Sequence, residues 1–286
     1  MYKIARKQVL NDNVTRMSIV APLVASKGKP GQFIIFRVDE FGERIPLTIA
    51  GTNKEDGTVD IIFQTVGKAT RMLSQKEEGE EILDFVGPLG KPSELEGAKR
   101  ACVIGGGVGT AIAYPSAVAL HEQGTKVDVI VGFRNKDIVI LEEDFGKVAD
   151  NLYMMTDDGS YGEHGFVTKK LEDLLEAGEE YDLVIAIGPV PMMKAVVDLT
   201  RPKGIRTLVS LNPIMVDGTG MCGGCRVLIG GKSKFACVDG PEFDGFEVDF
   251  EDLTRRNRSY VDEEKARDHA CRMELAALEL SSKKAE

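Results

Sequence analysis

The 286-residue chain has no apolar run long enough to cross a membrane: Phe33 to Phe36 is strand-sized, far short of the roughly 18–20 residues a membrane helix needs. It has no basic stripe. With 36 Lys and Arg against 46 Asp and Glu the formal net charge is −10, which speaks against nucleic acid as a partner, because phosphate contacts need clustered cations. No N-terminal stretch joins a basic start to an apolar run, so neither a secretory signal nor a membrane partner is expected, and a cytoplasmic protein follows as the expectation. Histidine is scarce: His121, His164 and His269 are scattered, and no catalytic residue is assigned. Internal repeats and low-complexity tracts are also missing.

What is present is the composition of an ordinary globular protein, with chain enough for two compact domains and a small appendage. The five cysteines are Cys102, Cys222, Cys225, Cys237 and Cys271. An odd number, three of them close together, fits metal binding in a reducing compartment better than a disulfide framework.

Residues 1–97 read as short strands, with β-branched and aromatic residues over Phe33–Val38, Pro46–Ala50 and Val59–Phe63 and turn signals between them. Such spacing predicts a small antiparallel barrel. Gly87-Pro88-Leu89-Gly90-Lys91-Pro92 is too dense in Gly and Pro for regular structure and leads to a boundary. Over 98–210 the rhythm changes to strand, helix, strand: Arg100–Ile104, Ala111–Gln123, Val127–Gly132, Asn151–Met155, Phe166–Ala177 and Leu183–Ile187. That alternation predicts an α/β domain, a parallel sheet covered on both faces. A Gly- and Cys-rich segment follows over 211–250, and a charged helical tail over 251–286.

Gly105-Gly106-Gly107-Val108-Gly109 falls between a strand and a helix, where backbone N–H groups and the helix N-terminus can meet a phosphate. A tight turn that binds nothing is the competing reading of that loop alone. The usual dinucleotide fingerprint is incomplete: Thr110 stands in place of its third glycine, and Gly132-Phe133-Arg134 carries no ribose-reading carboxylate at the strand tip. Asp157-Asp158-Gly159-Ser160-Tyr161-Gly162 and Gly188-Pro189-Val190-Pro191-Met192-Met193 follow two further strands, which would put three loops on one sheet edge. In the barrel, Arg44-Ile45-Pro46-Leu47-Thr48 and Val66-Gly67-Lys68-Ala69-Thr70-Arg71 offer a bidentate cation and a glycine turn opening a helix, which suit a bulky anionic cofactor. Each, taken bare, is also an ordinary strand end and helix cap.

In this order the motifs resemble the ferredoxin–NADP reductase superfamily. Within it the chain is similar to the electron-transfer subunits of dihydroorotate dehydrogenase, and closer to the small subunits of NADH-dependent ferredoxin:NADP oxidoreductases, also called sulfide dehydrogenases. The match spans residues 1 to about 250. The resemblance implies FAD in the barrel, with Arg44, Pro46, Leu47 and Thr48 at the ring and pyrophosphate, Gln64 at the end of the neighbouring strand, and Gly67, Lys68, Ala69 and Thr70 at the phosphates. It implies NAD(H) or NADP(H) over Gly106, Gly107, Val108, Gly109 and Thr110, with Arg134, Asp158, Gly188 and Pro189 nearby. Many relatives have Cys before Gly-Pro; here the residue is Ile187, so nicotinamide stacking on the flavin is expected to be looser or differently controlled.

Asp217, Cys222, Cys225 and Cys237 carry the most specific signal. Plant-type [2Fe–2S] sites use C-x4-C-x2-C with a distant fourth Cys, and Asp217 stands at the first position of that pattern. Dihydroorotate-type relatives carry Cys there, whereas the ferredoxin:NADP type carries Asp. A [2Fe–2S] cluster is expected on these four residues; zinc, which takes three thiolates and a carboxylate, is the rival. A hydride donor and a one-electron cluster need a flavin between them. The expected function is therefore an electron-transfer subunit working between NAD(P)H and a partner. The resemblance implies that the partner is a larger iron–sulfur flavoprotein in a heterodimer, with ferredoxin served indirectly. A subunit of another dehydrogenase, such as the dihydroorotate enzyme, and a cofactor-binding redox sensor are the alternatives. Arg134 is compatible with either nicotinamide cofactor.

Overall fold

The computed structural model describes residues 1–282; the last four residues of the expected tail, 283–286, lie outside the described residues. Its N-terminal part is a seven-stranded antiparallel half-barrel. From one edge to the other run Glu81–Ile82, Tyr2–Asn11, Val14–Val20, Thr58–Gln64, Ile45–Asn53, Phe33–Arg37 and Asp84–Leu89. Side chains alternate across each strand. Ile34 and Phe36 therefore join Met17, Ile19, Ile61, Phe63 and Phe85 in the barrel's own core. Phe33 and Ile35, from the same strand, point the other way into a core shared with the rest of the chain.

The Gly87-Pro88-Leu89 stretch, expected to be irregular, is part of the strand Asp84–Leu89. The strand lies at the sheet edge, and its pairing with Phe33–Arg37 shifts register between Phe33 and Ile35. An edge with a bulge is where a strand tolerates proline.

The second sheet has Arg100–Gly106 at its centre, flanked by Lys126–Phe133 and Asn151–Thr156 on one side and by Leu183–Ile187 and Arg206–Ser210 on the other, all parallel. Ala101 and Val103 pack under the helix Gly109–Glu122, with Val14, Ala50 and Ile62 of the barrel in the same core. Cys102 and Ile104 face the helices Val167–Glu176 and Val190–Thr200. The cysteine-rich segment is more ordered than its glycine content suggests. It forms a hairpin, Arg226–Ile229 with Lys232–Phe235, a short helix Ala236–Asp239, and the strand Glu242–Asp244, which pairs antiparallel with Arg206–Ser210. The segment thus contributes an edge strand to the parallel sheet.

Two helices, Phe250–Asn257 and Val261–Ser282, follow. Asp249 caps the first, its carboxylate accepting from the Glu251 and Asp252 amides at 3.1 and 2.9 Å. The second lies back on the barrel: Arg71 reaches Asp268 at 3.0 Å, and Arg267 lies 4.0 Å from Glu43. No helix among the described residues is long and apolar enough to cross a membrane.

A buried polar network ties the base of the parallel sheet together. The Asp128 carboxylate, inaccessible to solvent, accepts from Arg100 at 2.7 Å, Asn151 at 2.7 Å and the Tyr181 hydroxyl at 2.8 Å. Burial alone would raise its pKa; the hydrogen bonds from Asn151, Arg100 and Tyr181 outweigh that and hold it below the ordinary carboxylate value. A carboxylate depressed in the folded state stabilises at pH above its unfolded pKa, and that contribution fades as pH falls through the folded value. Asp128→Ala should cost about 3 kcal/mol in urea unfolding at neutral pH, as expected when one partner of a buried pair is removed. The gap to the parent should narrow in acid; a gap constant with pH would exclude the charge as its cause.

Candidate functional site

The parallel sheet gathers four expected segments at the C-terminal ends of its strands. Gly107–Gly109 follow the central strand, Arg134 and Asp157–Gly162 follow the two strands on one side, and Gly188-Pro189 follow Leu183–Ile187 on the other. Gly188 packs against Gly106, and hydrogen bonds link the other loops. The Gly107 amide donates to the Gly132 carbonyl at 2.8 Å, the Asp158 amide to the Arg134 carbonyl at 3.3 Å, and the Lys136 amide to the Ser160 hydroxyl at 2.8 Å. Asp158 is held ionised below its ordinary pKa by the Ser160 hydroxyl and amide. Tyr161 donates to Glu142, a carboxylate far away in sequence that no local pattern marked.

The glycines of the loop divide into two kinds. A Cβ on Gly109 would stand 2.4 Å from the Ile187 carbonyl oxygen, and one on Gly106 would stand 2.5 Å from the Met192 sulfur. These two are glycines because strand, loop and helix pack tightly there. Gly107 has φ +56° and nothing within 4 Å of its Cβ position, so its open face is the one a phosphate can approach. Thr110, where the fingerprint has glycine, is fully buried and lies against Gly105, whose missing Cβ makes the room.

In the barrel, residues Ile45 to Thr48 are half-exposed although they lie in mid-sheet, which leaves a strand surface uncovered. At the neighbouring turn the Thr70 hydroxyl accepts from the Val66 and Gly67 amides at 3.1 and 3.2 Å and fixes the start of the helix Lys68–Ser74. The amides of Lys68, Ala69 and Thr70 open that helix without a carbonyl one turn back to bond. Gly67 has nothing within 4 Å of its Cβ position. Open space beside free amides leaves room for the phosphates expected at this turn. Gln64 is exposed at the end of its strand, close in sequence to this turn.

Arg44 does something unexpected. Its Nε donates to the Val216 carbonyl at 3.0 Å and its Nη2 to the Asp217 carbonyl at 3.5 Å. The segment expected to hold flavin and the cysteine loop are therefore in direct contact, across more than 170 residues of sequence.

The cysteine loop turns through Gly218, Gly220 and Gly223, all with positive φ. Its four candidate ligands fall into two pairs. Cys225 and Cys237 are buried together, with the Cys237 amide donating to the Cys225 sulfur at 3.5 Å. Burial first, then the neighbouring Cys225, pushes the Cys237 thiol up to about 12. Cys222 is exposed and lies within electrostatic range of Asp217; the Gly224 amide, at 3.5 Å from its sulfur, leads in lowering its pKa. Asp217 Oδ2 accepts from the Thr219 amide at 2.9 Å, the Met221 amide at 3.3 Å and the Thr219 hydroxyl.

Among the described residues no three His, Cys, Asp or Glu side chains converge to hold a metal ion. A two-iron cluster needs no such convergence, because its ligands divide between two irons. The pairs Asp217 with Cys222 and Cys225 with Cys237 meet that need, and the backbone amides directed at sulfur suit its charge. The donor types and their spacing along the loop fit a [2Fe–2S] cluster.

Comparison with known proteins agrees with this geometry. Residues 212–249 match the family described as the iron–sulfur cluster binding domain of dihydroorotate dehydrogenase B. A Clostridium beijerinckii protein described by its place in an adh 3′ region is 54% identical over 272 residues, covering 92% of each chain. A Thermotoga maritima homolog of the dihydroorotate dehydrogenase B (NAD(+)) electron transfer subunit is 46% identical, covering 92% of this chain and 93% of its own. A solved chain from NADH-dependent reduced ferredoxin-NADP oxidoreductase superposes with a TM-score of 0.88 at 45% identity, covering 93% of this chain and 96% of its own.

Proposed function

Since the chain belongs to the family of dihydroorotate dehydrogenase B-type electron-transfer subunits, we propose that it moves electrons between NAD(H) and a larger iron–sulfur flavoprotein with which it forms a heterodimer, in an NADH/NADPH/ferredoxin oxidoreductase of the cytoplasm. It is an oxidoreductase subunit that uses FAD, a [2Fe–2S] cluster and a nicotinamide cofactor. The observation that carries this pathway is Arg44, which joins the segment proposed to hold flavin to the loop of candidate cluster ligands.

Bound FAD would supply the exchange between the two-electron chemistry of the nicotinamide and the one-electron chemistry of the cluster. The chain's residues hold, orient and shield. Arg44, Pro46, Leu47, Thr48 and Gln64, with the turn Gly67–Thr70, would seat FAD. The open face of Gly107, with Gly106, Val108, Gly109, Thr110, Arg134, Asp158, Gly188 and Pro189, would seat the nicotinamide cofactor. Asp217, Cys222, Cys225 and Cys237 would hold the cluster. The corresponding units are 1–97 for flavin, 98–210 for nucleotide, 211–250 for the cluster and 251–286 for the tail.

The exit surface suits a protein acceptor. Val216, Met221 and Val238 are 53%, 87% and 40% exposed around the cysteine loop. A Cβ on Gly220 would touch the Val238 side chain at 3.2 Å, so the loop and the short helix form one apolar rim. Exposed apolar groups beside an electron exit suit a partner subunit.

An anaerobic NADH titration of the chain loaded with both cofactors tests the pathway. NADH should bleach the flavin absorbance and then raise the EPR signal of a reduced cluster. Cys225→Ser should keep the bleaching and lose the EPR signal. A flavin that stays oxidised under excess NADH would remove the entry step, and bleaching without a cluster signal in the parent would remove the exit.

A further inference from the structure

The helix Phe250–Asn257 packs back on the segment it follows. Phe250 and Leu253 enter the same apolar cluster as Cys225, Val227 and Cys237. That docking places Arg256 over the turn between Cys222 and Cys225: its Nη2 donates to the Gly224 carbonyl at 3.4 Å. Its Nε is sealed from solvent and has no hydrogen-bond partner, and Arg256 forms no ion pair, among the described residues. Of the two acidic groups on the same helix, Asp252 is taken by Arg255 and Glu251 is exposed in the first turn.

A sealed donor without an acceptor is costly, and a guanidinium cannot shed its charge to escape the cost. The loop it covers supplies what is missing. Three thiolates and the Asp217 carboxylate around one metal group make this the most negative place in the segment. Adding an electron there makes it more negative still. A fixed positive charge held close to the loop stabilises the state with the extra electron more than the state without it, and the partial burial of Arg256 weakens the screening of that difference by water and salt.

Resting on the assignment of a [2Fe–2S] cluster to this loop, we propose that Arg256 is a positioning residue that raises the cluster's reduction potential through its fixed charge, so that the cluster accepts electrons readily from the flavin side. Arg256 is better placed for this role than Arg44. Arg44 belongs to the flavin segment, and changing it disturbs two cofactors together, whereas Arg256 comes from an element with no other part in the site.

The test is a redox titration of the full chain followed by cluster EPR, with iron content measured alongside, for the parent, Arg256→Gln and Arg256→Lys. Arg256→Gln should lower the reduced-to-oxidised ratio at a given poise about tenfold, a fall of about 59 mV for a one-electron couple. Arg256→Lys keeps the charge and should stay near the parent. A full-iron Arg256→Gln protein with an unshifted midpoint overturns the proposal. So does an Arg256→Lys midpoint that falls as far as the Gln variant's, which would assign the effect to guanidinium geometry rather than charge. If the Gln variant loses iron, the Lys variant decides: a parent-like midpoint supports the proposal, and a fall of about 59 mV overturns it. An unmodified chain with no cluster signal would overturn the cluster assignment itself, which is a different failure from a normal signal with no shift.

Discussion

Gly67→Val should weaken FAD binding about a hundredfold while leaving the fold and the iron content unchanged. Gly67 has φ −147° and ψ −175°, extended backbone that a β-branched residue adopts without strain. Its Cβ position has nothing within 4 Å, so the folded chain without FAD has room for the side chain, at the modest cost of a poorer helix N-cap. The new side chain would stand in that open space, at the turn leading into the free amides of Lys68, Ala69 and Thr70. Two methyl groups there overpack the bound flavin phosphates, and overpacking typically costs about 1–3 kcal/mol. At the upper end that is about a hundredfold in dissociation constant. Flavin fluorescence titration reads the affinity and a thermal melt of the apoprotein reads the fold. FAD affinity equal to the parent's would take Gly67 out of the site. Gly109→Ala is the contrasting case. Its Cβ would press on the Ile187 carbonyl, so it should lower the melting temperature before any question of ligand arises.

That contrast also marks what local sequence could and could not reveal. A run of glycines between a strand and a helix announces a tight turn, but not which glycine serves packing and which serves a ligand. The division depends on Ile187 and Met192, brought alongside by a different strand and helix. The alternation of strands and helices after residue 98 is legible because its central strands are largely apolar and buried on both faces, the paired Asp128 apart. The strand Asp84–Leu89 was hidden, because Gly and Pro argue against a strand and the bulge and edge position that admit them are properties of the whole sheet. The cysteine spacing identified the cluster segment, since ligand order along a loop is itself local. Its neighbours were not legible. Nothing in the sequence near Cys222 marks Arg256, and nothing near Arg44 says that its guanidinium reaches the carbonyls of Val216 and Asp217. Both contacts are made by tertiary packing between elements remote from the loop.

Asp217 is where local sequence and tertiary chemistry meet, and Asp217→Cys should lower the cluster potential by on the order of 100 mV while keeping the cluster. A carboxylate oxygen donates less electron density to iron than a thiolate at the same formal charge, so a cluster with one carboxylate favours its reduced state. Replacing thiolates by weaker donors in Rieske centres raises potentials well above the roughly −400 mV of plant-type ferredoxins, with loss of charge contributing there. The reverse exchange at residue 217 should move the potential toward the plant-type value and change the EPR g-values. The structure sharpens the test, because the carboxylate has a second occupation. Oδ2 takes the Thr219 hydroxyl and the Thr219 and Met221 amides; the Thr219 bonds come first in holding the group ionised below its usual pKa. If capping that turn were its whole role, cysteine, a poor acceptor, would loosen the loop without altering the iron's ligands. The two roles therefore predict different measurements. A ligand exchange lowers the midpoint potential and moves the g-values at constant iron content. Loss of a turn cap lowers the loop's stability, or its iron occupancy, and leaves the spectrum of the remaining clusters as it was. A variant whose potential and spectrum match the parent's removes Asp217 from the iron and leaves the fourth position to another donor.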